Sequence, residues 1–268
     1  MMLAKYWQVT KTSWENGFVY RLNFLMWRVR SVIRLLTVYF LWAAIFQRTD
    51  GFLSYDKAAM MTYILGTGVL ATIVFSTRSI DVGTEIAEGD LSNYLLKPVN
   101  YFAYWFSRDL ADKLLNILFV IGEIGLIIFF LRPPLIMPTA SGLIAMFLLV
   151  SILALVLYFI FSFLVSAFTF WYPEHNGWPI RFFVFVLLEF LAGGLFPLDI
   201  LPPVVFSLLR LLPPAYFMYY PLQVFLGRLS FWEGVGVVSG LIFWIFLLAI
   251  VLNLVWRRGI KVYEAYGR

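Results

Sequence analysis

The residues most able to do chemistry are two glutamates, Glu123 and Glu189, each set within a long apolar run. A carboxyl group is costly in hydrocarbon, so an acid at such a position either relays protons or pairs with a polar group. Asn116 and Asn253 are candidate polar partners on neighbouring helices. A proton-coupled carrier usually has more such groups, often in repeated halves, and no convincing repeat is visible. The pattern therefore favours a structural role for both glutamates, with proton relay as the alternative.

Motifs of the common catalytic sites do not occur in the sequence. It has no G-x-x-x-x-G-K-[ST] loop to cradle phosphates, no H-E-x-x-H and no G-x-S-x-G, and it contains 0 cysteines. The sequence therefore predicts no ATP site, no catalytic residue, no metal site and no cofactor bound by this chain. A lipid-modifying membrane enzyme ranks lowest among the alternatives, since no catalytic constellation is visible.

The composition is too apolar for a protein surrounded only by water, and it predicts contact with a lipid bilayer. Hydrophobic residues make up 62% of the chain and charged residues 13%, whereas a soluble domain is about half apolar and a quarter charged. Runs of about 20 apolar residues predict six transmembrane helices in one all-α, polytopic domain over residues 1–268. The predicted spans are Trp27–Phe46, Ala58–Ser76, Leu110–Leu131, Gly142–Trp171, Pro179–Gly194 and Val235–Trp256.

Lysine and arginine set the predicted orientation. With the N-terminus in the cytoplasm, 15 of the 20 basic residues fall on the cytoplasmic side, so both termini are expected there. Arg28, Arg30 and Arg34 crowd the start of the first span, where long side chains can snorkel to the headgroups. The net charge of +5 is then explained by membrane ends, and nucleic-acid binding is not expected.

Residues 1–24 show helical spacing of apolar and aromatic side chains, with Trp7 and Trp14 among them. Lysines and polar residues lie between them. This pattern predicts an amphipathic helix on the membrane surface, in contact with lipid headgroups. Packing of the same stripe against another helix is the alternative.

Residues 78–108, here called the acidic loop, carry four acids within ten residues. Gly89 is a helix-stop signal, and Pro98 disfavours helical geometry at the preceding residue. We expect a short helix standing in the cytoplasm, followed by the return into the third span. Such a helix can transmit force from a cytoplasmic partner, or it can be a solvated connector without one.

Residues 197–221, here called the proline-rich segment, hold six of the 12 prolines among apolar runs. The segment is too apolar for a solvated loop and too broken for a spanning helix. We expect a re-entrant pair of short helices that dips into the outer leaflet, with Gly193 and Gly194 permitting the bend before it. It would form an outer gate, or a cap that only packs.

Several of these segments together resemble the permease subunits of bacterial ABC-2 type ATP-binding-cassette transporters, over nearly the whole chain. The resemblance rests on the order and spacing of short motifs. These are the amphipathic N-terminal segment, Gly83-Thr84-Glu85-Ile86-Ala87-Glu88-Gly89 leading to Leu95-Leu96-Lys97-Pro98, Gly194-Leu195-Phe196-Pro197-Leu198-Asp199 to Pro202, Pro221-Leu222-Gln223, and the tail Trp256 to Gly267.

The resemblance implies a half-transporter in the bacterial plasma (inner) membrane. Two permease chains, identical or related, would form the membrane part, and two separate ATPase subunits would bind ATP and Mg. Such permeases mostly export lipids, glycoconjugates, polysaccharides or drugs. A stand-alone proton-coupled carrier using Glu123 or Glu189 is the competing hypothesis.

The resemblance also implies roles for particular residues. The acidic loop would be the coupling helix that enters the ATPase, and its residues would be Gly83, Thr84, Glu85, Glu88, Leu95, Lys97 and Pro98. The outer gate would comprise Gly193, Gly194, Phe196, Pro197, Pro202 and Pro203.

Overall fold

The computed structural model describes residues 2–19 and 21–263, and 79% of it is helical. Two antiparallel strands of two residues each, β1 (Gly51–Phe52) and β2 (Tyr55–Asp56), form a hairpin. It pairs Gly51 with Asp56 and Phe52 with Tyr55. The α-helices within these residues are α1 (Met2–Val19), α2 (Arg21–Ile45), α3 (Lys57–Val74), α4 (Ser79–Ala87), α5 (Leu91–Leu95), α6 (Tyr101–Leu131), α7 (Ser141–Ala167), α8 (Trp178–Leu191), α9 (Pro203–Leu209), α10 (Tyr219–Phe225) and α11 (Phe231–Val262). Short 3-10 turns lie at Phe168–Phe170, Glu174–Gly177, Leu198–Ile200 and Pro213–Tyr216.

Four of the described helices are long and apolar enough to cross a membrane: α3, α6, α7 with its 3-10 extension, and α11. They coincide with the second, third, fourth and sixth predicted spans. The helix at the first predicted span, α2, has 25 residues but carries arginines in its first half. The helix at the fifth, α8, has only 14 residues, about 21 Å of helix against a hydrocarbon core of about 30 Å. The count of six spans stays a prediction.

Local sequence signals explain where the long helices begin and end. The Asp56 side chain accepts a hydrogen bond from the Ala59 amide at 2.7 Å and caps α3. Asn100 caps α6 in the same way, which is why that helix begins well before the expected Leu110. A reciprocal capping box between Ser230 and Glu233 opens α11.

The core is organised around α3, which is the most deeply buried of the long helices. It packs against α2, α6 and α7, while α7 also packs along α11. A second apolar cluster lies where the acidic loop meets α6, α7 and α11. The remaining faces of α6, α7 and α11 expose apolar side chains, as lipid-facing helices do.

The predicted interface helix over residues 1–24 corresponds to α1 (Met2–Val19) and the start of α2 at Arg21, and Tyr20 between them lies outside the described residues. α1 packs along α6, and the buried Thr10 donates its hydroxyl to the carbonyl of Ser107 at 3.2 Å. Trp7 remains 65% exposed. One face of α1 is thus covered by protein, and the residues it leaves exposed are mostly polar, such as Lys5, Lys11 and Glu15. At the other end of the chain, the quoted tail motif is described only to Tyr263, and residues 264–268 lie outside the described residues.

Candidate functional site

Helices α4 and α5 form the first half of the acidic loop. α4 packs along α7, and Gly89, the middle of the three residues between α4 and α5, has a φ of 84°, which favours glycine. Ser79 donates its hydroxyl to that of Ser162 at 2.9 Å, and the Ser79 carbonyl accepts from the Ser166 hydroxyl at 2.8 Å. The expectation of a single short helix is therefore corrected: there are two short helices, and the first is fastened to a long apolar one.

Apolar side chains of the acidic loop bury themselves at the ends of three long helices. Val82, Ile86 and Leu91 pack there within an aromatic cluster. Its other buried members are Tyr101, Trp105, Phe159, Phe163, Ala167, Phe170, Leu252 and Trp256. Gly83 lies so close to Arg181 that an added Cβ would be 2.5 Å from a guanidinium nitrogen. Thr84 is half-buried, so this first part of the loop is an anchor within the chain.

Glu85 faces the protein. Its carboxylate accepts a hydrogen bond from the Tyr101 hydroxyl at 2.6 Å. Burial raises the pKa of Glu85, and the Tyr101 hydrogen bond and the positive charge of Arg108 act against that rise. Glu88 is exposed. The resemblance placed both acids toward the ATPase; in the structure Glu88 is exposed, whereas Glu85 is half-buried and engaged by Tyr101.

The free surface of the acidic loop lies at and after the end of α5. Leu95 is 47% exposed and Leu96 is 87% exposed, and Lys97 and Pro98 are exposed beside them. The base of this tip is braced by α1, because Lys5 donates to the Pro98 carbonyl at 2.9 Å. The exposed Leu95, Leu96 and Lys97 form a small amphipathic protrusion, here called the knob, and its base is fixed by the contact with α1.

A row of polar side chains on α6 connects the acidic loop with α3. The buried Lys113 donates to the carbonyls of Ile73 at 3.0 Å and Val74 at 3.3 Å, and thereby satisfies the end of α3. Asp109 lies 3.3 Å from Lys113 and accepts from the Arg78 amide at 2.9 Å. Sequence reasoning counted Arg78 and Lys113 only for orientation. The spacing of Asp109 and Lys113, four residues apart on α6, was the available signal for that pair, whereas the contacts of Arg78 had none.

Glu123 is ion-paired with Arg28 of α2. Nε of Arg28 donates to one carboxylate oxygen at 2.7 Å, and a terminal nitrogen contacts the other. Another terminal nitrogen donates to the Asn116 side-chain oxygen at 3.2 Å. Arg28 is only 5% exposed, so the expectation that it snorkels to the headgroups is wrong.

Glu189 is paired with Arg34, one helical turn and a half further along α2, at 3.2 Å. A terminal nitrogen of Arg34 also donates to the Gly194 carbonyl at 3.5 Å. Asn253, one of the candidate partners for the glutamates, instead accepts from Arg257 at 3.1 Å. Helix α2 thus supplies the positive charge opposite both glutamates.

The bend before the proline-rich segment is built around Gly193, which has a φ of 78°. The buried Tyr63 donates its hydroxyl to the Gly193 carbonyl at 2.8 Å, and an added Cβ at Gly193 would lie 2.6 Å from that hydroxyl oxygen. Trp42 donates to the Leu195 carbonyl at 3.0 Å. Gly194 is buried as well, since an added Cβ there would lie 2.8 Å from the Glu189 carbonyl oxygen.

A polar cluster holds the next part of the proline-rich segment. Tyr55 of the hairpin donates its hydroxyl to Asp199 at 2.8 Å and accepts from the Gln223 amide at 2.6 Å. The Arg228 guanidinium lies 3.8 Å from the centroid of the Tyr55 ring and 3.9 Å from an Asp199 oxygen. These contacts join the segment to the β-hairpin and to α10.

The remaining gate residues divide between these anchors and a free helix. Pro197 is buried and Phe196 is half-buried against the core. Pro202 and Pro203 are exposed at the start of α9, a helix with no buried residue. Val204 of α9 is 74% exposed. The proline-rich segment therefore combines a pinned base with a free apolar helix.

Comparison with known proteins gives one family. The family model described as "ABC-2 family transporter protein" matches residues 32–267. No curated protein matches the sequence. The matched range includes both the acidic loop and the proline-rich segment, together with the four long apolar helices. The chain therefore belongs to the ABC-2 family of membrane transporter proteins.

Proposed function

We propose that the chain is the permease subunit of an ABC exporter, driven by two separate ATPase subunits that bind ATP and Mg. The observation that carries this proposal is the form of the acidic loop. Its first part is anchored on three long helices, while Leu95, Leu96 and Lys97 form the exposed knob. A knob that only connected two helices in water would gain nothing from exposing two leucines.

Force on the knob has a direct route into the bundle. ATP binding would close the ATPase dimer and displace α5. α4 would carry that movement to α7, through the buried contacts of Ser79 with Ser162 and Ser166. The Arg78 side chain donates to Asp112 at 3.0 Å, which links the same loop to α6. The pair of permeases would then switch the side on which its pathway is open.

The proposed topology has six spans, both termini in the cytoplasm and location in a bacterial inner membrane. α2 and α8 would be the first and fifth spans. α8 alone is too short, so the proline-rich segment would complete its crossing as a re-entrant hairpin in the outer leaflet. α1 would lie at the cytoplasmic interface with Trp7 toward lipid, since this side chain is exposed beside basic residues.

The assembly would contain a second permease chain, identical or related, surrounded by membrane lipids. α2 offers a surface for that contact, because Ile33, Phe40 and Leu41 are each more than half exposed. The transported molecule would be lipid-like, a glycoconjugate or drug-like, because such substrates partition into the apolar surroundings of the helices.

A stand-alone proton-coupled carrier using Glu123 or Glu189 is the alternative. Each of these carboxylates is ion-paired with an arginine, so a proton relay through it would first have to break that pair. Substrate movement in vesicles that contain this chain under a proton gradient, without ATPase subunits or ATP, would establish the carrier instead.

Association with an ATPase tests the permease proposal. The chain is co-expressed with the Walker A-containing ATPase encoded nearest to its own gene, purified by a tag on the permease, and assayed for bound ATPase. Leu96→Asn replaces the most exposed knob side chain with a polar one, and we expect about tenfold weaker association. The fold should be unaffected, since Leu96 is 87% exposed.

Leu53→Asn is the matched control. Leu53 is 74% exposed in the turn of the β-hairpin, and its φ of 53° is one that asparagine accepts. This variant should bind the ATPase as the unaltered chain does. Equal association for the Leu96 variant, the Leu53 variant and the original chain would refute the assignment of the knob.

A further inference from the structure

A cavity of about 570 Å³ lies between α2 and α8, with α3 and α7 behind it. Small-molecule sites in proteins have volumes of roughly 300–1,000 Å³. The cavity is closed on one side by the acidic loop, through Arg78, Ser79 and Asp81. On the opposite side the Arg34–Glu189 pair joins α2 to α8. It therefore lies in the half of the bundle that carries the acidic loop, and it has room for a headgroup-sized molecule.

Arginines outnumber acids in the walls of this cavity. Its lining contains five arginines and three carboxylates: Arg28, Arg30, Arg34, Arg78 and Arg181, with Asp81, Asp112 and Glu189. The charges of Arg28 and Arg34 are already matched by Glu123 and Glu189. The Asp81 carboxylate also pairs with Arg108, whose terminal nitrogen lies 3.8 Å away. Arg108 itself does not line the cavity. Arg78 is likewise paired with Asp112 at 3.0 Å, and the five arginines of the lining still outnumber its three carboxylates.

Arg30 is the lining arginine whose hydrogen-bond donors are unused among the described residues. Among the described residues it forms no ion pair and no hydrogen bond. Its guanidinium lies 5.0 Å from the Trp27 ring and 5.8 Å from the Phe185 ring, so stacking holds it at the wall. Arg78 contributes further donors, since only its Nε is used on Asp112 and its side chain is 43% exposed.

Aromatic side chains border the same cavity. Trp27, Trp178 and Phe182 line it and are each close to half exposed. They belong to α2 and α8, the two helices between which the cavity opens. A ligand whose charged end lies between the arginines would therefore meet aromatic rings along its next atoms, which suits an amphipathic molecule and not a free inorganic ion.

We infer that this cavity binds the anionic headgroup, of the phosphodiester class, of an amphipathic molecule drawn from the membrane leaflet nearest the acidic loop. Arg30 and Arg78 donate to the headgroup oxygens, with the planar donor geometry that suits phosphate. Trp27 and Phe182 contact the first apolar carbons. This inference rests on the proposed function in one respect, since it names the substrate class of the proposed exporter.

Lipid binding to the full-length chain tests the inference without any ATPase. The chain in detergent is supplemented with phosphatidylglycerol or with phosphatidylcholine carrying identical acyl chains, and bound lipids are counted by native mass spectrometry. We expect preferential retention of phosphatidylglycerol. Arg30→Gln should weaken its binding by about tenfold, and Arg30→Lys should restore part of it.

Arg257→Gln is the matched control for ordinary lipids at the protein surface. Arg257 is an exposed arginine near the same end of the bundle that does not line the cavity. Equal retention of the two lipids, or equal loss in the Arg30 and Arg257 variants, would overturn the inference. Competition with glycerol phosphate identifies the source: displacement supports a site for the headgroup alone, and retention supports a site for the intact lipid. A chain that selects phosphatidylglycerol but binds no ATPase would refute the proposed function and leave the cavity assignment standing.

Discussion

The acidic loop and the proline-rich segment are both broken into short helices, yet they are held and exposed in different ways. Aromatic packing and serine hydrogen bonds fasten α4, whereas a tyrosine–aspartate–glutamine cluster fastens the start of the proline-rich segment. The tip of the acidic loop mixes Leu96 with Glu88 and Lys97 on its free surface. The free helix α9 exposes apolar residues such as Val204 and Leu208.

This difference indicates which surroundings each region meets. Charged and apolar side chains together suit water and a protein partner, because the charges stay hydrated until docking. A short helix that packs through Phe206 and Leu209 but exposes Val204, Val205 and Leu208 is poorly suited to water and suits lipid. Both regions thus have an anchored base and a more exposed tip, and the proposed function places the first tip in water and the second in lipid.

Single cysteines would test this comparison with the largest expected effect. The chain has 0 cysteines, so Leu96→Cys and Val204→Cys each introduce one reporter. In inside-out vesicles without ATPase, a charged maleimide should label Leu96→Cys more than about tenfold faster than Val204→Cys, because a thiol in hydrocarbon stays protonated. Labelling is measured by mass shift.

Vesicles of the opposite orientation complete the design. Leu96→Cys should then be protected, and Val204→Cys should remain slow from both sides. Fast labelling of Val204→Cys from the outside would mean that α9 lies in water, and the re-entrant arrangement would have to be abandoned.

The two ion pairs of α2 test the anchored parts of the molecule. Glu123→Gln leaves the guanidinium of Arg28 buried without its counter-charge, and removing one partner of a buried pair costs about 3 kcal/mol. Glu189→Gln should cost about 1 kcal/mol or less, because the side chain of Arg34 is 26% exposed and water can compensate. Thermal unfolding in detergent measures both.

Glu15→Gln, at an exposed glutamate of α1, controls for the lost charge and should leave the unfolding midpoint unchanged. Equal destabilisation by the Glu123 and Glu189 variants would show that burial does not distinguish the two pairs.

The pH dependence of the acidic loop gives the smallest expected effect. The pKa of Glu85 is raised in the folded chain above its ordinary value of 4.5, mainly by burial. The unfolded chain therefore loses this proton at lower pH than the folded chain does. As the pH rises from 4.5 through the folded pKa, the protein loses stability that Glu85→Gln should retain, since glutamine still accepts from Tyr101.

Unfolding midpoints of the original chain and Glu85→Gln, measured across this pH range, should diverge as the pH rises. Glu88→Gln removes a neighbouring exposed charge and serves as the control. Parallel profiles for Glu85→Gln and the original chain would contradict a role for burial at Glu85.

Much of the fold could be predicted because hydrophobic length is a local property. The runs that became α3, α6, α7 and α11 are long and apolar in the sequence itself, and they are helices in the structure. The first residues of helices were harder to predict, because α6 begins at the Asn100 cap, well before its apolar run. The glycine at the bend before the proline-rich segment was also identified locally, and its φ of 78° agrees.

Side-chain partners could not be predicted in the same way. Glu123 was given asparagine partners, but it pairs with Arg28, 95 positions earlier in the chain. Glu85 and Glu88 are nearly adjacent and chemically alike, yet one meets Tyr101 and the other meets solvent. Such choices depend on how helices rotate against each other, which the spacing of one segment does not contain.

The sequence by itself determined that this chain is a membrane protein, because that property follows from its composition and its long apolar runs. It also determined the family, through motifs spread over residues 32–267. Only the tertiary structure decided which charges of α2 are neutralised and that Arg30 and Arg78 keep donors for a cavity beside α8. The physical reason is that burial and counter-charges are set by helices that meet in space, far apart along the chain.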